Sequence, residues 1–254
     1  MTNDQRQADV ALHKAAEGFA EELTSTMRGV LPSAPRFHAI SQGRRVWVTT
    51  ACEDEDGLDP RKCRIEVLIG GAVEMTLAVG YYCCWDQANQ FLAVDNSGIE
   101  VFFQHDVEPL FRYEYVRKAT GRGWPPGAHF HIHAHHNLLP WLQRLSGTGR
   151  PATRIRQGRR PGLAELHFVV GGHRMRPSLE DVLMMVVREF GVDTVDGWEA
   201  VLNDGIRKWR DKQLRAAVRD SPVQAIEVLR SLGCKIDVPD HLLESSEPPK
   251  LYLP

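Results

Sequence analysis

The stretch PPGAHFHIHAHHN, residues 125–137, carries the densest chemistry in the chain. His129, His131, His133 and His135 alternate with Phe130, Ile132 and Ala134, and His136 follows at once. Five of the 11 histidines fall within eight consecutive positions. On a strand, side chains at i and i+2 share a face about 6.5–7 Å apart. Two imidazoles at that spacing can converge on one ion, and histidine is the commonest ligand for zinc and several other transition metals. Four in a row span about 20 Å, too far for one ion. The run His129, His131, His133, His135 therefore offers one chelating pair or two, and any further donor must come from elsewhere. Glu114, Glu165, His167 and His173 are the candidates. A divalent metal such as zinc is the cofactor that such a site would take.

Imidazole also works without a metal. It titrates near neutral pH and serves as a general acid or base. Two histidines and a cation facing the developing phosphorane charge make a ribonuclease-like site. ELHFVVGGHRMR, residues 165–176, brings His167, His173, Arg174 and Arg176. If it pairs with the histidine strand, both histidine groups and these arginines share one edge of a sheet. GRPATRIRQGRRPG, residues 149–162, adds Arg154 and Arg156 and contains no acid. Guanidinium forks match phosphate well. Tyr113 and Tyr115 share a face of FRYEYV and could stack on a base. Catalysis then falls to His129, His131, His133, His167 and His173. Substrate contacts fall to Tyr113, Tyr115, Arg154, Arg156, Arg174 and Arg176. Each has a plainer alternative. The histidines could be a solvent-facing row and the arginines a solvated loop paired with the acidic turn 53–59. The tyrosines could be core.

The whole chain has 254 residues, 43% hydrophobic and 25% charged, as in a soluble globular protein. Its net charge of -2 supplies no overall basic field for nucleic acid. Acids run through the N-terminal segment, which does not read as a signal peptide, and no stretch is apolar enough to span a bilayer. The cysteines are Cys52, Cys63, Cys83, Cys84 and Cys234, an odd count with no C-x-x-C pair. That pattern points to reduced thiols in a cytoplasmic protein.

The elements that must position these residues follow from periodicity. Residues 4–30 predict a helix with Ala8, Val10, Leu12, Ala15, Phe19, Ala20 and Leu23 on its apolar side. Then RFHAISQGRRVWVTTACE, KCRIEVLIG, AVEMTLAVGYYCCW, FLAVD, IEVFFQHD and LFRYEYVRKA predict strands, with DNSG as a hairpin turn. Short connections predict antiparallel pairing. LLPWLQRLSG predicts a short helix, and LAELHFVVGG one more strand. Ser178, Asp181 and Gly191 mark the start and stop of a helix. Two further helices follow Trp198, the second with Ser221 as N-cap and Pro222 in its first turn. The expected fold is α+β: a mostly antiparallel curved sheet packed with helices, and an α-helical C-terminal segment. Residues 1–192 form the sheet domain, 193–243 a helical subdomain or layer, and 244–254 a loosely held tail.

Two resemblances attach to particular residues. HFHIHA, residues 129–134, resembles the strand motif of histidine-triad nucleotide hydrolases. That likeness would make His131 the nucleophile, flanked by His129 and His133. The glycine-rich lead-in of that family is replaced here by GRGWPPGA. The order FRYEY, PPGAHFHIHAHH, LHFVVGGHRMRPSLEDVLMMVVREFGV, spanning roughly 111–192, resembles a group of uncharacterised bacterial proteins. It is also similar to the TumE-like toxin family. These likenesses imply a prokaryotic protein from a toxin–antitoxin or phage-defence setting, with an antitoxin-like protein partner.

Three functions stay open. The first is a phosphoester-cleaving enzyme acting on RNA or a nucleotide. The second is a metal-dependent hydrolase built on an H-x-H pair. The third is a non-catalytic scaffold of a toxin–antitoxin or phage-related system. The sequence sets neither the substrate nor the oligomeric state.

Overall fold

Helix α1, Asn3–Arg28, buries a stripe of Leu12, Ala16, Ala20, Leu23 and Met27, spaced by three or four residues. Val10 is off that stripe and 70% exposed, and Ala8 is exposed as well, so neither joins the apolar side expected of them. The computed structural model describes residues 3–54, 57–59, 63–86, 89–104, 106–117, 127–133 and 168–239. Among them lie ten strands and four helices. The strands are β1 Phe37–Gln42, β2 Arg45–Thr50, β3 Cys52–Asp54, β4 Gly57–Asp59, β5 Ile65–Ile69, β6 Ala72–Trp85, β7 Leu92–Phe103, β8 Phe111–Val116, β9 Gly127–Ile132 and β10 Phe168–Gly172. The further helices are α2 Leu179–Phe190, α3 Trp198–Asp220 and α4 Pro222–Ser231.

The fold is α+β, with a curved antiparallel sheet and C-terminal helices. Strand order is β1-β2-β6-β7-β8-β9-β10, with β5 pairing the other half of β6. β3 and β4 form a separate small hairpin. α1 packs on β1 and β2, and the core joins its stripe to Phe37, Val48, Ile65, Leu77, Val101, Leu183 and Leu202. Each such side chain contributes about 1.5–3 kcal/mol on burial.

DNSG makes no turn. Asp95–Gly98 lie inside β7, with Asn96, Ser97 and Gly98 laddered to β6 on one side and to β8 on the other. The register slips between Tyr82 and Cys83, which pair with Asn96 and Val94, so Asp95 is the extra residue of a bulge. Its carboxylate meets Arg45 at 2.6 Å. Pairing on both edges outweighs the local turn propensity of these four residues.

α2 has the predicted capping box. The Ser178 side chain accepts from Asp181 N, the Asp181 side chain accepts from Ser178 N, and Gly191 closes the helix at φ 66°. Ser221 precedes α4 but makes no side-chain cap, because its hydroxyl donates to Gln224 Oε1. Residues 191–196 are tied to the sheet: Asp193 N donates to Leu68 O, and the Asp193 carboxylate accepts from Gly70 N and Gly71 N. No described helix is long and apolar enough to cross a membrane. The predicted short helix around Trp141, the arginine loop and the tail 244–254 lie outside the described residues.

Gly171, next to last in β10 and within its register shift, has φ 71°, and a Cβ there would lie 2.0 Å from Met175 O. Gly171→Ala should destabilise the fold by about 2–4 kcal/mol in urea unfolding, through left-handed strain and a backbone clash together. Gly70→Ala, at φ 61° with open space, should cost only about 1 kcal/mol.

Candidate metal centre

Register decides which side chains meet. β8 pairs β9 so that Arg112 faces His131, Tyr113 faces Phe130, Glu114 faces His129 and Tyr115 faces Ala128. The neighbouring β7 places Glu100 opposite Arg112 and Gly98 opposite Glu114. Alternation along each strand then assigns Glu100, Arg112, Glu114, His129 and His131 to one face. Ile99, Tyr113, Phe130, Tyr115 and Ala128 take the other.

On the first face, Glu114 Oε2 lies 3.3 Å from His129 Nε2 and 3.0 Å from His131 Nε2. One ligand atom from each of the three residues lies within 4.8 Å of the other two. An ion held at about 2.1 Å from its donors needs donor–donor edges of about 3.0–3.4 Å, from octahedral to tetrahedral geometry. Two of the three edges already have that length. His129 Nδ1 lies 3.4 Å from Gly127 O. Without an ion, Nε2–H is placed to donate to Glu114; with an ion bound, a proton on Nδ1 shared with that carbonyl would turn the Nε2 lone pair to it. Both histidines are buried, and Glu114 is about one-third exposed. The donor set, two imidazoles and a carboxylate, is one that binds zinc or non-haem iron with positions left for water and substrate.

The electrostatics fit a carboxylate that stays charged. Burial alone would raise the Glu114 pKa. Hydrogen bonds from His129 and His131 and the charge of Arg112 reverse this and hold the carboxyl far below its usual range. Arg112 Nε is 3.6 Å from Glu114 Oε2. Glu100 behaves in the opposite way: burial pushes its carboxyl up, against the fields of Arg112, Arg64 and His133. Two carboxylates on one face thus have pKa values driven apart, which suits different proton-transfer roles. Beside Glu114 the sheet is bare of described side chains. A Cβ at Gly98 would meet no described atom within 4 Å. One strand further, Gly80 makes room for the Trp47 indole, whose Nε1 would lie 2.8 Å from a Cβ there. Trp47 stacks on Tyr82 at 5.4 Å.

The residues expected to share one site divide between the faces. His129 and His131 join Glu114. His133 lies on the same strand face but pairs with the exposed Glu108, Nδ1 to Oε1 2.9 Å. β10 does pair with β9, Val169 opposite His129. Yet His173 ends on the tyrosine side, with Nδ1 3.2 Å from Tyr115 Oη. Arg176 stacks on the Tyr115 ring at 3.8 Å. Arg174 forms a two-pronged ion pair with Asp220 and is committed to holding α3. Tyr115 is buried and Tyr113 partly so. His135, His167, Arg154 and Arg156, and the alternative donor Glu165, lie outside the described residues. Glu100 and Arg112 were missed as site residues, because only the β7–β8–β9 register brings them beside the histidines. Cys83 is buried, and burial first of all pushes its thiol up to about 12, so it reads as core rather than ligand.

No protein-family model matches the chain, and neither a curated protein nor a solved structure does.

In metal-free protein, Glu114→Gln should lower stability at pH 7 by about 1 kcal/mol. A carboxyl whose folded pKa is depressed contributes fully above its unfolded pKa of about 4.3 and loses that contribution as pH falls toward the folded value. Urea unfolding should therefore show the gap between wild type and variant narrowing below about pH 4. A gap that stays constant to pH 3 would contradict this charge assignment.

Proposed function

We propose that the protein is a metal-dependent hydrolase of small phosphate esters, with its ion on Glu114, His129 and His131. The observation that carries this reading is the single oxygen, Glu114 Oε2, within 3.3 Å of both imidazole nitrogens. Three protein donors leave a coordination position for water, the pattern of catalytic rather than structural zinc. The ion would lower the pKa of that water and polarise a phosphoryl oxygen. Arg112, beside Glu114 on the same face, supplies the cation for the phosphate charge. Glu100, with its raised pKa, is suited to carry a proton to the leaving oxygen. The bare strand at Gly98 gives the substrate room next to Glu114. A net charge of -2 exerts no long-range pull on a polyanion, which favours a small ester over long RNA.

The assay is hydrolysis of bis(4-nitrophenyl) phosphate by chelator-stripped protein, before and after adding zinc or manganese. Activity should return with metal. His131→Ala should reduce it by about 100-fold or more, while His133→Ala stays within about threefold. No turnover with any divalent metal, in protein that stays folded, overturns the hydrolase reading.

A further inference from the structure

Across the sheet from the trio, a second site has its own geometry. A cleft of about 700 Å³ opens between α1, the tyrosine face of the sheet and α3. That volume lies within the range of small-ligand sites. Its walls carry Phe19, Tyr81, Tyr113 and Tyr115, with Val94 and Ile99 from β7. Such a lining suits a flat apolar body.

Arg176 also lines this cleft. Its guanidinium lies against the rings of Tyr115 and Trp209, at 3.8 and 4.9 Å. Nη1 donates to His173 O at 2.9 Å. Among the described residues it forms no ion pair with a carboxylate; the groups that favour its charge are the phenols of Tyr115 and Tyr81. Burial pushes its pKa down from the ordinary arginine value, the mark of a cation short of counter-charge. A guanidinium has five donors, and one carbonyl, one tyrosine and two ring faces leave part of that fork unused. Burying a charge without a partner is costly, so a cation held this way is a standing invitation to an anion.

The remaining charges limit what that anion can be. Lys208 pairs with Asp204 at 2.6 Å, and Lys212 lies 3.9 Å from Glu22. Glu180 reaches the same lining from α2, close against Gly205 of α3. Asp211 and the exposed Arg215 add one charge of each sign, and Glu114 one more acid. Acids and bases around the cleft thus nearly cancel, and Arg176 is the cation set against the aromatic inner wall. One cation with an acid nearby accepts one anionic group and repels a polyphosphate chain.

We infer that this cleft binds a small amphipathic organic acid, its carboxylate or phosphate on Arg176 and its flat apolar body against Tyr81, Tyr113 and Phe19. Glu114 and His129 also border the cleft through the strands β8 and β9, but alternation assigns their side chains to the opposite face from Tyr113 and Tyr115, and the binding inferred here needs no metal on that trio.

Isothermal titration calorimetry on the full chain tests it with three probes of one shape: phenylacetate, benzylphosphonate and benzyl alcohol. The phosphonate cannot be hydrolysed, so turnover at the other face does not interfere. At least one anionic probe should bind with a dissociation constant on the order of 1 mM or tighter, and the neutral alcohol should not. Comparing the two acids identifies which headgroup the site takes. Arg176→Met should weaken binding about tenfold or more, and Arg176→Lys, which keeps the charge within the aromatic sandwich but loses the fork, about fivefold. Arg176→Lys carries the test if Arg176→Met does not fold. The inference is overturned if neither acid binds folded wild-type protein at about 10 mM, if the alcohol binds as well as the acids, or if the folded arginine variants bind as tightly as wild type.

Discussion

The antiparallel register of β8 against β9 is the constraint on which the chemistry of this protein depends. It sets Glu114 opposite His129 and Arg112 opposite His131. Slipping that register by one residue would turn both histidines toward the helices and bring tyrosine opposite them instead. β7 fixes it from one side, with six residue pairs to β8, and β10 closes β9 on the other. The bulge at Asp95 lies in the ladder to β6, just before the unbroken run Asn96–Val101 that sets Gly98 opposite Glu114 and Glu100 opposite Arg112.

Alternation along those strands gives the sheet two distinct faces. One gathers ionisable groups with opposed tendencies: Glu114 is held charged and Glu100 is pushed toward its neutral form. The other gathers aromatic rings under the helices, with Arg176 held against Tyr115 of that face and Trp209 of α3. β10 links the two, because its ladder to β9 stops at Gly172 and the chain then turns His173 and Arg176 to the tyrosine side. The Arg174–Asp220 pair and the Trp209 Nε1 donation to Arg176 O hold α3 over that turn.

What the sequence made legible was local. The Ser178 capping box, the Gly191 stop and the long strand Ala72–Trp85 follow from signals within a few residues. The alternation of His129 and His131 was enough to place them on one face, and Glu114 could be named as a possible third donor. What it hid was non-local. Period-two patterning says which side chains of one strand lie together, not which strand comes alongside. Glu100 and Arg112 therefore gave no sign of joining the site. His173 and Arg176 were expected beside the histidine strand, yet the positive φ of Gly171 takes the chain through a turn that puts them on the far face. DNSG read as a turn because its residue types favour one, and pairing on both edges of β7 overrode them.

The most direct test of the central claim is elemental analysis of untagged protein by inductively coupled plasma mass spectrometry. Wild type would be compared with Glu114→Ala, His129→Ala and His131→Ala, each confirmed folded by circular dichroism. Wild type should carry about one transition-metal ion per chain, lost in each variant. Metal-free wild-type protein that takes up no zinc, iron or manganese on dialysis, or an ion that survives all three substitutions, would contradict it.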